Sequence, residues 1–367
     1  MPNMDVLSDG RVIVGARVQK WADHEPVGDW RAFISEDEGS TWTDTKDNKI
    51  PYNWPGTTPR EKLERMEIIL PNGDYLCAGS VGPETWPAER RKEARELGLK
   101  ISETANSNNM ITVGGYKLFV QRSSDKGKTW TRKEWEVPGA SRVSGNRPPA
   151  VLQDGTFLYH LYTTDSSIDS TPVQGRRDYV WRSTDHGDNW LLHQMGIQPP
   201  GLHTNETGMV EVAPGRILAL SRVENSPQYL VERWSEDGGV TWTAPLRTGI
   251  WGYPAHLLKL CDGRILCSYG YRRQPGGVRA VLSEDEGRNW NLDEVFILRQ
   301  DGGYPSKLRE VDPRLVPSGE DSPFKARWQS DVGYPVSIQL PDESILTAYY
   351  LTESDGVTHT AVTRWQA

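Results

Sequence analysis

Followed along the chain, apolar and polar positions repeat one unit: an apolar run, a tight polar turn and a second apolar run. The copies fall at residues 4–14 around Asp9-Gly10, 68–77 around Asn72-Gly73, and 150–159 around Asp154-Gly155. Three more lie at 209–220 around Pro214-Gly215, 256–269 around Asp262-Gly263, and 336–350 around Asp342-Glu343. Asp-Gly and Asn-Gly between apolar runs signal hairpins, because such two-residue turns need positive φ. The pattern therefore predicts six hairpins.

A second repeat interleaves with the first. Ser-x-Asp-x-Gly-x-x-Trp occurs at Ser35-Asp37-Gly39-Trp42, Ser123-Asp125-Gly127-Trp130, Ser183-Asp185-Gly187-Trp190, Ser235-Asp237-Gly239-Trp242 and Ser283-Asp285-Gly287-Trp290. Ser and Asp bond nearby backbone N–H groups, Gly supplies the positive-φ position, and Trp folds back over the turn. The spacing lacks the several oxygen ligands that calcium requires, so no metal is expected. Six hairpins with five such corners predict an all-β chain: one six-bladed β-propeller of four-stranded antiparallel blades over residues 1–367, the last blade without a corner.

Three stretches interrupt the rhythm. Residues 83–109 carry a charged run, 88–97, that predicts a short exposed helix. Residues 166–177 form a polar excursion in the third blade, and 300–328 a long Gly/Pro-containing loop. Such loops either shape a binding site or decorate the surface.

Composition supports half-buried strands joined by many turns: 15 Trp and 14 Tyr against 5 Phe, with 35 Gly and 25 Pro. The formal net charge of −8 argues against nucleic acid or an anionic membrane as partner, while leaving room for a local basic pocket. Cys77, Cys261 and Cys267 form an odd set without metal-ligand spacing and are expected as buried free thiols. No apolar run approaches the length of a membrane-spanning helix, and no signal peptide is visible.

With corners and hairpins in place, the chain resembles the Asp-box members of the sialidase (neuraminidase) superfamily along essentially its whole length. The resemblance implies a Tyr nucleophile, a Glu that takes its proton, an Asp acid/base and three Arg gripping a substrate carboxylate, with no metal or cofactor. A neutral Tyr can approach a substrate that would repel a carboxylate nucleophile, and guanidinium forks match a carboxylate bidentately.

Carried over residue by residue, Glu206 opens the fourth inner strand and matches the family's Glu, and Arg222 matches one triad Arg. Arg279 matches another, with Arg272 and Arg273 as substitutes. Tyr334 in Gly333-Tyr334-Pro335 matches the nucleophile, and Tyr253 in Gly252-Tyr253-Pro254 is its rival. Asp23 or Asp29 is the candidate acid/base, and Arg17 or Lys20 a further basic residue. Arg65 and Arg147 sit at comparable strand starts, either to face the ligand or to form ion pairs at the rim.

The family's first Arg would fall just before Met1. The expectation is that residues upstream supply it, with a strand closing the sixth blade. A secretion signal there would make the protein secreted or periplasmic; otherwise it is cytoplasmic. Three functions stand open: an exo-glycosidase releasing a terminal acidic sugar by a retaining mechanism, a hydrolase or lyase on another acidic polysaccharide, and a non-catalytic glycan-binding propeller. All three take a carboxylate-bearing glycan as partner.

Overall fold

The computed structural model describes residues 2–7, 9–18, 29–44, 64–70, 73–103, 109–125, 129–137, 142–145, 147, 149–164, 176–224, 228–273, 275–304 and 332–367. Six small antiparallel sheets form a six-bladed propeller. Each predicted hairpin is the inner pair of one blade: Asn3–Val6 with Val12–Val18, Glu64–Ile69 with Tyr75–Val81, and Ala150–Val151 with Phe157–Thr164. Thr204–Ala213 with Arg216–Val223, Tyr253–Lys259 with Ile265–Tyr271, and Val332–Gln339 with Ile345–Thr352 complete the set. The innermost strands of blades four, five, six, one and two touch in turn around the axis. Among the described residues blade six has three strands.

Much of the core lies between blades. One apolar cluster joins Leu76 and Leu118 of blade two to Phe157 and Trp181 of blade three. Another joins Leu218 and Leu220 of blade four to Leu257 and Tyr269 of blade five. Met4 and Val14 of blade one pack on Val336 and Leu346 of blade six, which brings the first and last blades together.

The Ser-x-Asp corners lock these contacts. Ser35 Oγ donates to Asp37 Oδ1 at 2.8 Å and accepts from the Gly39 amide at 2.7 Å, while Asp37 accepts from the Thr41 amide at 2.7 Å. The same net recurs at Ser183, Ser235 and Ser283. Gly39 has φ +87°, and a Cβ there would lie 2.8 Å from Leu346 of blade six. Glycine is thus required twice over, by backbone conformation and by the close approach of the neighbouring blade. The corner tryptophans reach the inter-blade clusters, as at Trp190 and Trp242.

The predicted helix is present as a 3₁₀ turn, Ala88–Arg90, running into Arg91–Glu96. It belongs to a unit the hydropathy pattern does not reveal. Glu84–Pro87, Met110–Val113 and Ile101–Glu103 form an extra sheet whose Ile111 and Val113 bury Ala94. Cys77 and Cys267 are buried, but Cys261 is exposed, because it sits in the Asp262-Gly263 turn rather than in a strand. The excursion at 166–175 and the loop at 305–328 lie outside the described residues. Among the described residues no helix is long and apolar enough to cross a membrane.

Candidate active site

Three inner strands break their ladders at the same place. Register shifts fall between Asn205 and Gly208 in blade four, Tyr253 and Ala255 in blade five, and Gly333 and Val336 in blade six. A bulge interrupts side-chain alternation and re-aims a residue out of the strand's plane. Glu206 and Tyr334, inside two of these bulges, have φ of +47° and +52°. Backbone of that kind is disfavoured for residues bearing a Cβ and concentrates at functional sites.

The bulges bring two side chains together. Tyr334 Oη donates to Glu206 Oε1, and Arg222 Nη1 donates to Glu206 Oε2. The Arg222 guanidinium lies 4.5 Å over the Tyr253 ring, and that of Arg272 lies 5.3 Å from the same ring. Arg272 also donates to Val332 O and Tyr350 Oη, each at 2.9 Å. From the third blade Arg147 reaches across and donates to Pro335 O at 2.7 Å. All of these side chains are buried.

Burial alone would raise the Glu206 carboxyl, but the Arg222 charge and the Tyr334 and Arg222 hydrogen bonds outweigh it and hold it down at about 2. Burial and then the Glu206 charge push the Tyr334 phenol well above its ordinary value. At neutral pH the pair is therefore carboxylate and neutral phenol. Burial lowers the Arg147 guanidinium to about 10 against the pull of Glu206. It also lowers His256 to about 3, with the Arg147 charge adding to the effect.

Comparison with known proteins places the fold. A family described as BNR repeat-like domain matches residues 96–347. The chain belongs to this family. The BNR repeat-like chain is also similar, over 100% of its length, to a solved protein of unknown function from Dyadobacter fermentans, at 22% identity, TM-score 0.70 and 93% of that chain. It is similar to the NanB sialidase of Streptococcus pneumoniae at 13% identity and TM-score 0.62, covering 100% of this chain and 68% of that one. For the intramolecular trans-sialidase of Ruminococcus gnavus the values are 15%, 0.61, 100% and 94%. At these identities the likeness shows the shared propeller. No curated protein matches the sequence.

Of the expected site residues, the BNR repeat-like fold gathers Glu206, Arg222, Tyr334, Arg147 and Tyr253. Tyr334 rather than Tyr253 meets Glu206; Tyr253 serves as a platform for Arg222 and Arg272. Arg279 stands apart from these. It lies on the third strand of blade five, opposite Tyr269, and its guanidinium stacks 3.4 Å over Tyr271 instead of joining the cluster. Arg272 lies in the cluster. The signal was available, since Arg222 and Arg272 both fall at the end of their blade's second strand, where the chain returns to the funnel. Asp23 and Lys20 lie outside the described residues. Of Arg17, Asp29 and Arg65 the backbone alone is described, opposite Trp30, Val18 and Gly79 respectively.

Sequence reasoning missed a second buried group in this BNR repeat-like protein. Asp178 accepts from Thr204 Oγ1, lies 3.0 Å from His160 Nε2, and pairs with Arg233 at 3.3 Å. The Thr207 amide donates to His160 Nδ1 at 3.4 Å, which with the Asp178 contact fixes the Nε2–H tautomer. Thr204 and Thr207 flank Glu206, so this group grips the bulge from both sides. Only the packing of blade three against blade four brings its members together.

Proposed function

We propose that the protein is an exo-acting glycosidase that removes a terminal carboxylate-bearing sugar, sialic acid or a related keto-acid, with retention of configuration. The observation that carries this reading is one carboxylate, Glu206, shared by the Tyr334 hydroxyl and the Arg222 guanidinium. Arg222 and Arg272 take the sugar carboxylate. Its arrival loosens the hold of Arg222 on Glu206, so the Glu206 carboxyl becomes more basic as substrate binds. Tyr334 Oη then attacks the anomeric carbon as its proton passes to Glu206. The bond to the leaving oxygen breaks, and that oxygen takes a proton from the acid expected at Asp23 or Asp29. Water then attacks the anomeric carbon and gives its proton to that Asp, while the tyrosyl–sugar bond breaks and Glu206 returns its proton to Tyr334.

Arg147, hydrogen-bonded to the carbonyl just after Tyr334, holds that bulge and adds positive potential near the phenolic oxygen. The test is turnover of an aryl sialoside, with the first-formed product anomer read by NMR. The retained anomer is expected, and Glu206→Gln should lower kcat at least about a hundredfold. Inversion, or no release of sugar from any acidic glycoside, would overturn the proposal.

A further inference from the structure

A second feature runs outward from the cluster across blades four and five. Tyr253, beneath Arg222, meets Trp251 edge-on with ring centroids 5.3 Å apart, and Trp251 meets Tyr271 at 5.4 Å. Guanidiniums cover this row. Arg273 lies 4.1 Å over Trp251, and Arg279 lies 3.4 Å over Tyr271. Tyr229 pairs with Trp251 across strands of blade four and carries Arg247 3.9 Å over its ring. Topology places the row at one end of the blades. Trp251 ends the last strand of blade four, Tyr271 ends the second strand of blade five, and Tyr253 begins that blade's inner strand.

The arginines of this row differ from those stacked on rings elsewhere. Arg90 over Trp86, Arg132 over Phe119 and Arg216 over Trp234 each also pair with a carboxylate. Arg247 and Arg273 are exposed and Arg279 half-buried, yet among the described residues none of the three has a carboxylate partner. In a chain of net charge −8 that is a local reversal of sign. A guanidinium held over a ring by cation–π attraction keeps N–H donors available, which suits it to receive a carboxylate.

We propose that this row is a binding subsite for the part of the glycan beyond the cleaved bond, and that this part carries further acidic sugars. The assignment rests on the glycosidase reading above, because Arg222 and Tyr253 belong to both groups and set where the row begins. The protein would then act on the end of a polyanionic chain rather than on an isolated acidic cap.

The experiment has two arms. In the first, kcat/KM is compared for an acidic-sugar glycoside with a neutral galactose aglycone and one whose aglycone is a second acidic sugar. Wild type should favour the second by about tenfold, and the Arg247→Gln/Arg273→Gln variant should lose that preference while its neutral-aglycone activity changes less than about twofold. The second arm needs no turnover. Tetragalacturonate, with neutral galactotetraose as control, is titrated into the protein at about 0.02 and about 0.5 M salt. Saltable binding that the double variant weakens supports the subsite even if no glycoside is cleaved, which would sink only the glycosidase reading. Equal affinity for charged and neutral tetrasaccharides, or cleavage indifferent to the aglycone's charge, would overturn the subsite and leave the glycosidase reading intact. Should the double variant melt early, Arg273→Gln alone is read in the same way.

Discussion

Two buried polar clusters lie on either side of the same bulge and are built on opposite terms. The Asp178 group sets one carboxylate against one guanidinium, Arg233, and closes the remaining bonds with His160 and Thr204. Burial raises the Asp178 carboxyl, but Arg233 and then His160 outweigh it, so the group stays ionised. It is balanced, and its backbone is ordinary strand. The Glu206 group gathers the guanidiniums of Arg147, Arg222 and Arg272 around Glu206, with Glu224 farther back on Asn205. Its two central residues sit in left-handed backbone. A balanced group can hold a strand, while a cationic, strained one is suited to the anion-binding role proposed above. Burial and hydrogen bonding are common to both clusters; charge balance among the described residues and backbone strain distinguish them.

The sharpest way to break this comparison is Tyr334→Phe. It should lower kcat by about a thousandfold or more, while ligand binding and melting temperature stay near wild type. Full activity in this variant would place the chemistry elsewhere. Asp178→Asn tests the other side. Breaking a buried ion pair should destabilise the fold by about 3–5 kcal/mol in urea titration, and activity should fall as Thr204 and Thr207 release the Glu206 bulge. A stable variant with normal kcat would show that the two clusters are uncoupled.

Arg147→Met is intermediate. Loss of the bond to Pro335 O and of the nearby charge should lower kcat about ten- to a hundredfold with a smaller change in KM, because Arg147 acts through Tyr334. A rise in KM alone would instead make it a substrate contact.

The smallest effect concerns pH. His256 falls from an ordinary 6.5 to about 3 in the folded chain, so the unfolded chain binds more protons between those values. Stability is therefore fully present above about pH 6.5 and is lost as pH falls toward 3. Glu206, lowered from 4.5 to about 2, adds a loss of the same sign in its own, more acid window. Melting curves of His256→Gln should show a shallower decline between pH 6.5 and 4.5 than wild type.

The sequence by itself determined the corners, the hairpins and the number of blades. Those features rest on contacts a few residues apart, such as Ser35 with Asp37 and Asp37 with Thr41, and local chemistry repeats visibly. It also marked Glu206, Arg222 and Tyr334, each at a strand end facing the funnel. Tertiary structure decided how these meet. Tyr334 and Glu206 are 128 residues apart, and Arg147 and Pro335 188 apart. Whether Tyr334 or its rival Tyr253 faces Glu206 depends on two bulges, each of which offsets the period-two alternation from which side-chain direction is read. The separate positions of Arg272 and Arg279 likewise follow from strand order, since a residue on a third strand stands two strands away from the axis. The small sheet around Ala94 was hidden for a related reason: its strands are only three or four residues long, too short for alternation to register, and pairing between them supplies their stability.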